Sequence, residues 1–199
     1  MYHPDVTALA GTQDLDRGGA TYRVARGIRH HRYNFLDMDY DIGLFKLRTP
    51  VTYSHVLEVA PLAYRGPLFR KGMKFKISGW GWPSFATQTI SRYLLQSEVL
   101  WMDQDTCREK RQNFSAPQSY RQFCSTIDNG PCMHMIKIDC CVGFMFQFDF
   151  GGPVIYNGTV IGIISGASWP CGTYPPIYTK VSAYDEWIVE NMEELDRTV

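Results

Sequence analysis

An all-β fold closed by a C-terminal helix is what these 199 residues predict. Three observations carry that expectation. Short β-branched and aromatic runs are separated by Gly, Pro and Asn clusters. Asn157-Gly158 sits at the centre of the run VIYNGTVIGII, a hairpin signal because both turn residues must take positive φ. After residue 183 the apolar period changes to three- and four-residue steps.

In order, the strand candidates are residues 7–11, 21–26, 42–47, 73–78 and 94–101, the hairpin 154–164, and 177–181. Such spacing suits a sandwich or barrel. Pro50, Pro61 and Pro67 interrupt 51–72, which reads as a connector. Tyr184, Trp187, Ile188, Met192 and Leu195 then mark one face of a helix, with Ser182 and Asp185 placed as a capping box.

Composition narrows the function classes. Hydrophobic residues are 45% and charged residues 20%, which excludes a disordered chain. Lys+Arg and Asp+Glu are 20 each, so no charge imbalance favours nucleic acid or an acidic membrane face. Residues 150–179 carry no charge, but their glycines and prolines break any membrane-spanning helix. The six cysteines lack zinc spacing, and no metal or other cofactor is expected. Disulfides in an oxidising compartment suit them better. The opening MYHPDVTALAG has neither the basic start nor the apolar run of a secretion signal.

Five short motifs follow one another: Asp39-Tyr40-Asp41-Ile42-Gly43-Leu44-Phe45-Lys46-Leu47, Ser78-Gly79-Trp80-Gly81, Gln122-Phe123-Cys124, Asp149-Phe150-Gly151-Gly152-Pro153, and Ile177-Tyr178-Thr179-Lys180-Val181 leading to Trp187. Together, in this order, they resemble the trypsin/chymotrypsin-like serine proteases across nearly the whole chain. The resemblance implies a double six-stranded antiparallel β-barrel with a C-terminal helix and a site in the cleft between barrels. It divides the chain into 1–57 (first barrel, incomplete), 58–72 (connector), 73–181 (second barrel) and 182–195 (helix), together one peptidase-like domain.

That chemistry needs a serine nucleophile, a histidine base, an orienting aspartate and backbone oxyanion donors. The resemblance makes Asp41 the retained acid and Asp39 its solvated neighbour. The base is missing: His3, His30, His31 and His134 all lie in contexts that read as exposed. Phe150 stands at the nucleophile position, and a phenyl ring has neither a proton to lose nor a lone pair for acyl attack. Phe148 replaces a glycine of the oxyanion region beside Asp149, and the alternating phenylalanines ending at Phe150 read as a strand with one phenyl face. Gly166-Ala167 and Pro176 replace pocket-wall residues, so no cleavage specificity is legible.

The resemblance also pairs Cys107 with Cys124. Cys171 would take Cys140 or Cys141, leaving the other for Cys132. Phe75 and Tyr156 stand where another family disulfide is lost, as two aromatics able to pack across the gap. The sequons at Asn113 and Asn157 are expected to be glycosylated in a secreted chain, Asn157 the better exposed. The family's front segment, including the histidine, is expected upstream of Met1 in a longer secreted precursor. Such a chain is expected to be a non-catalytic homologue that engages a protein partner: a protease, an inhibitor or a substrate-like chain. Two alternatives stay open, an endopeptidase behind an erroneous gene sequence and a non-functional duplicate.

Overall fold

Strands begin where the apolar alternation begins. The computed structural model describes residues 6–81, 89–111, 119–126, 149–166 and 174–197. Strands β1 (Thr7–Ala10), β2 (Ala20–Arg29) and β3 (Gly43–Leu47) form an antiparallel sheet in chain order. The register of β2 on β3 shifts between Val24 and Arg26, a bulge that bends the longer strand.

Six further strands close into a barrel: β4 (Lys74–Gly79), β5 (Leu95–Met102), β6 (Gln122–Ser125), β7 (Pro153–Tyr156), β8 (Thr159–Gly166) and β9 (Ile177–Lys180). Their order around the barrel is β4-β5-β6-β9-β8-β7, and β7 pairs back onto β4. Closure removes the exposed sheet edges of this half. Inward-facing Phe75, Val99, Phe123, Val154, Ile161, Ile164 and Tyr178 fill it. Asn157 and Gly158 turn the β7–β8 hairpin with φ of 48° and 76°, the positive pair that the sequence requires. Phe75 and Tyr156 pack edge to face, their centroids 6.3 Å apart, across the place where the resemblance implies a lost disulfide.

Helix α1 (Gln104–Arg111) lies between β5 and β6 and was not expected, because it has no apolar stripe. A local cap starts it: Asp103 Oδ1 accepts the Thr106 amide at 2.9 Å. The disulfide Cys107–Cys124, as expected, staples it to β6. Helix α2 (Asp185–Arg197) follows the 3-10 turn Val181–Ala183. This corrects the expected capping box. Ser182 lies inside the 3-10 turn, and the first α-helical bond runs from the Ile188 amide to the Tyr184 carbonyl at 2.8 Å.

The connector is pinned rather than loose. The Ala63 amide donates to Val160 O at 3.0 Å, and the Val160 amide donates to Pro61 O at 2.8 Å. Phe69 packs on the barrel core. Between sheet, barrel and helix, Ile42, Val181, Tyr184 and Ile188 form a small separate core.

Candidate functional site

The DIGLFKL segment enters β3 from a tight loop in which Met38 and Tyr40 take φ of 52° and 58°. Asp41 follows that loop and is carried inward. Its Oδ2 accepts the Ser165 hydroxyl at 2.8 Å, while Thr179 Oγ1 donates to its backbone carbonyl at 2.8 Å. Burial raises the Asp41 carboxyl above its ordinary range, and the Ser165 bond offsets only part of this. Ser165, the last residue but one of β8, is the partner that sequence reasoning missed. It stands immediately before Gly166, whose place in the motif order was the available signal.

Asp39 is not solvated. Only 8% of it is exposed. Arg121 grips the carboxylate through Nε at 3.0 Å and through Nη2, and the Ser119 hydroxyl and Tyr40 amide add bonds of 3.1 and 2.9 Å. These donors hold its pKa below the usual carboxylate range although burial opposes them. The two aspartates therefore hold opposite electrostatic positions, two residues apart.

His30 is also not exposed, at 6%. Its ring lies 4.6 Å from Tyr40 and 5.1 Å from Trp187, and its Nδ1 accepts the Arg32 amide at 3.1 Å. Burial, then the neighbouring His31, Arg32 and Arg121, push its pKa down. The carboxylate it senses is Asp39, not Asp41. His31 is exposed as expected. His3 and His134 lie outside the described residues.

Phe150 sits in a turn and is 44% exposed, so it is not part of a strand; the phenylalanines before it lie outside the described residues. The turn is fixed by backbone bonds. The Gly151 amide reaches Ile164 O, the Gly152 amide reaches Asp149 O, and the Ile164 amide reaches Gly152 O, each at 2.9 Å. Gly151, with φ of 83°, supplies the left-handed corner. Asp149 turns its carboxylate onto the Gly79–Gly81 segment, where Oδ1 accepts the Gly81 amide at 2.7 Å. A side chain at Gly79 or Gly81 would collide with that carboxylate. Burial raises the Asp149 pKa, and the Gly81 bond works against the rise.

Gly166 has Met38 sulfur packed against it so closely that a Cβ would overlap. Pro176 is buried immediately before β9. Phe148, Cys132, Cys140, Cys141, Cys171, Asn113 and Ala167 lie outside the described residues. Asn157 is exposed at its hairpin tip. Among the described residues, no group of three His, Cys, Asp or Glu side chains is arranged to hold a metal. No described helix is long and apolar enough to cross a membrane.

The family model described as Trypsin matches residues 2–188. A trypsin of Phaedon cochleariae is 32% identical over 189 residues, covering 92% of this chain and 66% of its own length. The chain thus spans just under two-thirds of that relative. Neuropsin, a serine protease expressed in the limbic system of mouse brain, superposes with a TM-score of 0.73 at 26% identity, over 94% of this chain and 78% of that one. The scabies mite inactivated protease paralogue S-D1 gives a TM-score of 0.79 at 19% identity, over 96% and 77%, a likeness of fold.

Proposed function

Because this chain belongs to the trypsin family, its chemistry turns on what stands at the family's reacting positions, and we propose that it is a serine protease homologue without peptidase activity that acts through binding surfaces. The observation that carries this reading is Phe150, a half-exposed phenyl at the rigid corner before Gly151-Gly152-Pro153. Acyl transfer needs an oxygen or sulfur nucleophile there. Asp41, the proposed remnant of the triad, accepts the Ser165 hydroxyl. Even a family site lacking triad members keeps only about 10³–10⁴-fold catalysis over water, and only through its oxyanion donors.

The disulfide Cys107–Cys124 supports residence in an oxidising, secretory compartment. In such a compartment Asn157 is the favoured glycan site, since it is exposed at a hairpin tip. The partner is a protein: a protease, an inhibitor or a substrate-like chain.

A fluorogenic peptide panel and a serine-directed phosphonate probe test the reading. Both stay silent with the chain as it stands. Phe150→Ser also stays silent, because restoring a hydroxyl supplies no base. Turnover or labelling by the unmodified chain overturns the proposal.

A further inference from the structure

We propose that the cavity between the 30–40 loop, the connector and the start of α2 binds an aryl oxyanion, a sulfate or phosphate ester carried on a flat ring. The cavity measures about 500 Å³, within the range of small-ligand sites. Three arginines line it, each laid against a tyrosine. The Arg32 guanidinium is 4.6 Å from the Tyr40 centroid. That of Arg121 is 4.2 Å from Tyr40 and 4.5 Å from Tyr120, and that of Arg65 is 5.5 Å from Tyr64.

Cation–π contact orients a guanidinium through its face and leaves its N–H edge for an oxyanion. Arg121 already gives two of its nitrogens to Asp39. Arg32 and Arg65 have no ion-pair partner among the described residues, so their charge is available. Trp187 adds a flat wall. Tyr184 lines the same cavity with its hydroxyl buried.

Asp185 and Glu186 stand on the same wall, Asp185 accepting the Arg65 amide at 3.2 Å. Their charge disfavours a polyanion and leaves room for one compact oxyanion held by Arg32 and Arg65. Among the described residues, none of those lining this cavity belongs to the 149–152 turn, so the two proposals fail separately.

Calorimetric titration with phenyl phosphate and phenyl sulfate is the test, with inorganic phosphate, phenol and phenethylammonium as controls. Both aryl esters are expected to bind at least about tenfold more tightly than any control. Arg32→Gln and Arg65→Gln, both at exposed loop positions, are each expected to weaken binding about tenfold, in line with a charged hydrogen bond. Lys71→Gln, exposed elsewhere, leaves it unchanged. Thermal melts matching the parent exclude misfolding. Peptides bearing phosphotyrosine or sulfotyrosine distinguish the source: tighter binding than the free ester marks a protein-borne ligand, equal binding a small molecule. Equal affinity for inorganic phosphate, preference for phenethylammonium, absence of saturable binding, or indifference to both arginine variants overturns the proposal.

Discussion

The closed barrel and the three-stranded sheet come from one chain yet solve burial differently. The barrel wraps its inner face around its own aromatic core, with Phe75 and Val99 exposed by 1% and 0%. Among the described residues, the sheet packs only a small core, around Ile42, against the barrel and helix α2. Val24 and Ile42 are its buried apolar residues among those described before the connector, while Leu9, Phe35, Leu36 and Val56 remain exposed. It is held from its ends instead. Arg121 grips Asp39, Arg92 meets Asp14 through two bonds of 2.7 and 2.8 Å, and Lys46 Nζ caps the Leu195 carbonyl of α2 at 2.9 Å. A self-sufficient core and a set of polar latches should respond differently to mutation.

The largest effect is expected in the barrel. Phe75→Ala removes a ring packed against Phe69, Phe123 and Tyr156 and should cost about 3–5 kcal/mol. Leu9→Ala, at 40% exposure, should cost less than about 1 kcal/mol. Urea denaturation followed by circular dichroism measures both. Equal losses would show that the sheet has a core of its own.

Next comes the latch. Arg121→Met leaves Asp39 buried without its cation and should cost about 3 kcal/mol. The double variant Asp39→Asn/Arg121→Met should recover much of that loss, since no unpaired charge remains. The Asp39 pKa is depressed in the folded protein. The parent therefore draws stability from this carboxylate above its unfolded pKa and loses it as pH falls through the folded value. Arg121→Met should lose that acid-sensitive step. An unchanged pH profile would remove Asp39 from the account of how the two halves are joined.

Much of the frame was legible because its signals are local. Asn157-Gly158 can form its turn without outside help, and the motif order located Asp41, Phe150 and the Cys107–Cys124 pair. What escaped depends on distant partners. Asp39 looks like a surface carboxylate until Arg121, 82 positions away, closes on it. His30 looks exposed until Tyr184 and Trp187 of the C-terminal segment fold over it. Ser165 signals its bond to Asp41 only through its place before Gly166 in the motif order. Helix α1 escaped for another reason: its polar sequence is held by a cap and a disulfide rather than by an apolar face. The expected cap at Ser182 failed because a 3-10 turn took the residues before α2.

A smaller effect separates the two aspartates of the DYD segment. Burial raises the Asp41 pKa, so between the unfolded and folded values the folded protein holds a proton that the unfolded chain has released. Stability then falls as pH rises from the ordinary carboxylate value through the raised one, opposite in sign to Asp39. Asp41→Asn keeps an oxygen for the Ser165 hydroxyl and removes the buried charge. It should raise the melting temperature at neutral pH and flatten the decline above about pH 4. A lower melting temperature at neutral pH would show that the charge itself is needed there.

The smallest contrast lies in two buried phenols. Inside the barrel, the Tyr178 hydroxyl and Ser125 Oγ share a hydrogen bond of 2.9 Å, and Ser125 Oγ also donates to Thr126 O at 3.1 Å. The shared proton is therefore supplied by Tyr178. Tyr178→Phe strips Ser125 of that donor and should cost about 1 kcal/mol. At the junction, the Tyr184 hydroxyl has no such partner among the described residues. Tyr184→Phe deletes an atom whose burial brings no bond, so stability should hold or rise slightly. Paired melts of the two variants read the difference directly. If Tyr184→Phe loses as much as Tyr178→Phe, the junction is as fully hydrogen-bonded as the barrel, and the division between a self-satisfied core and an unsatisfied seam disappears.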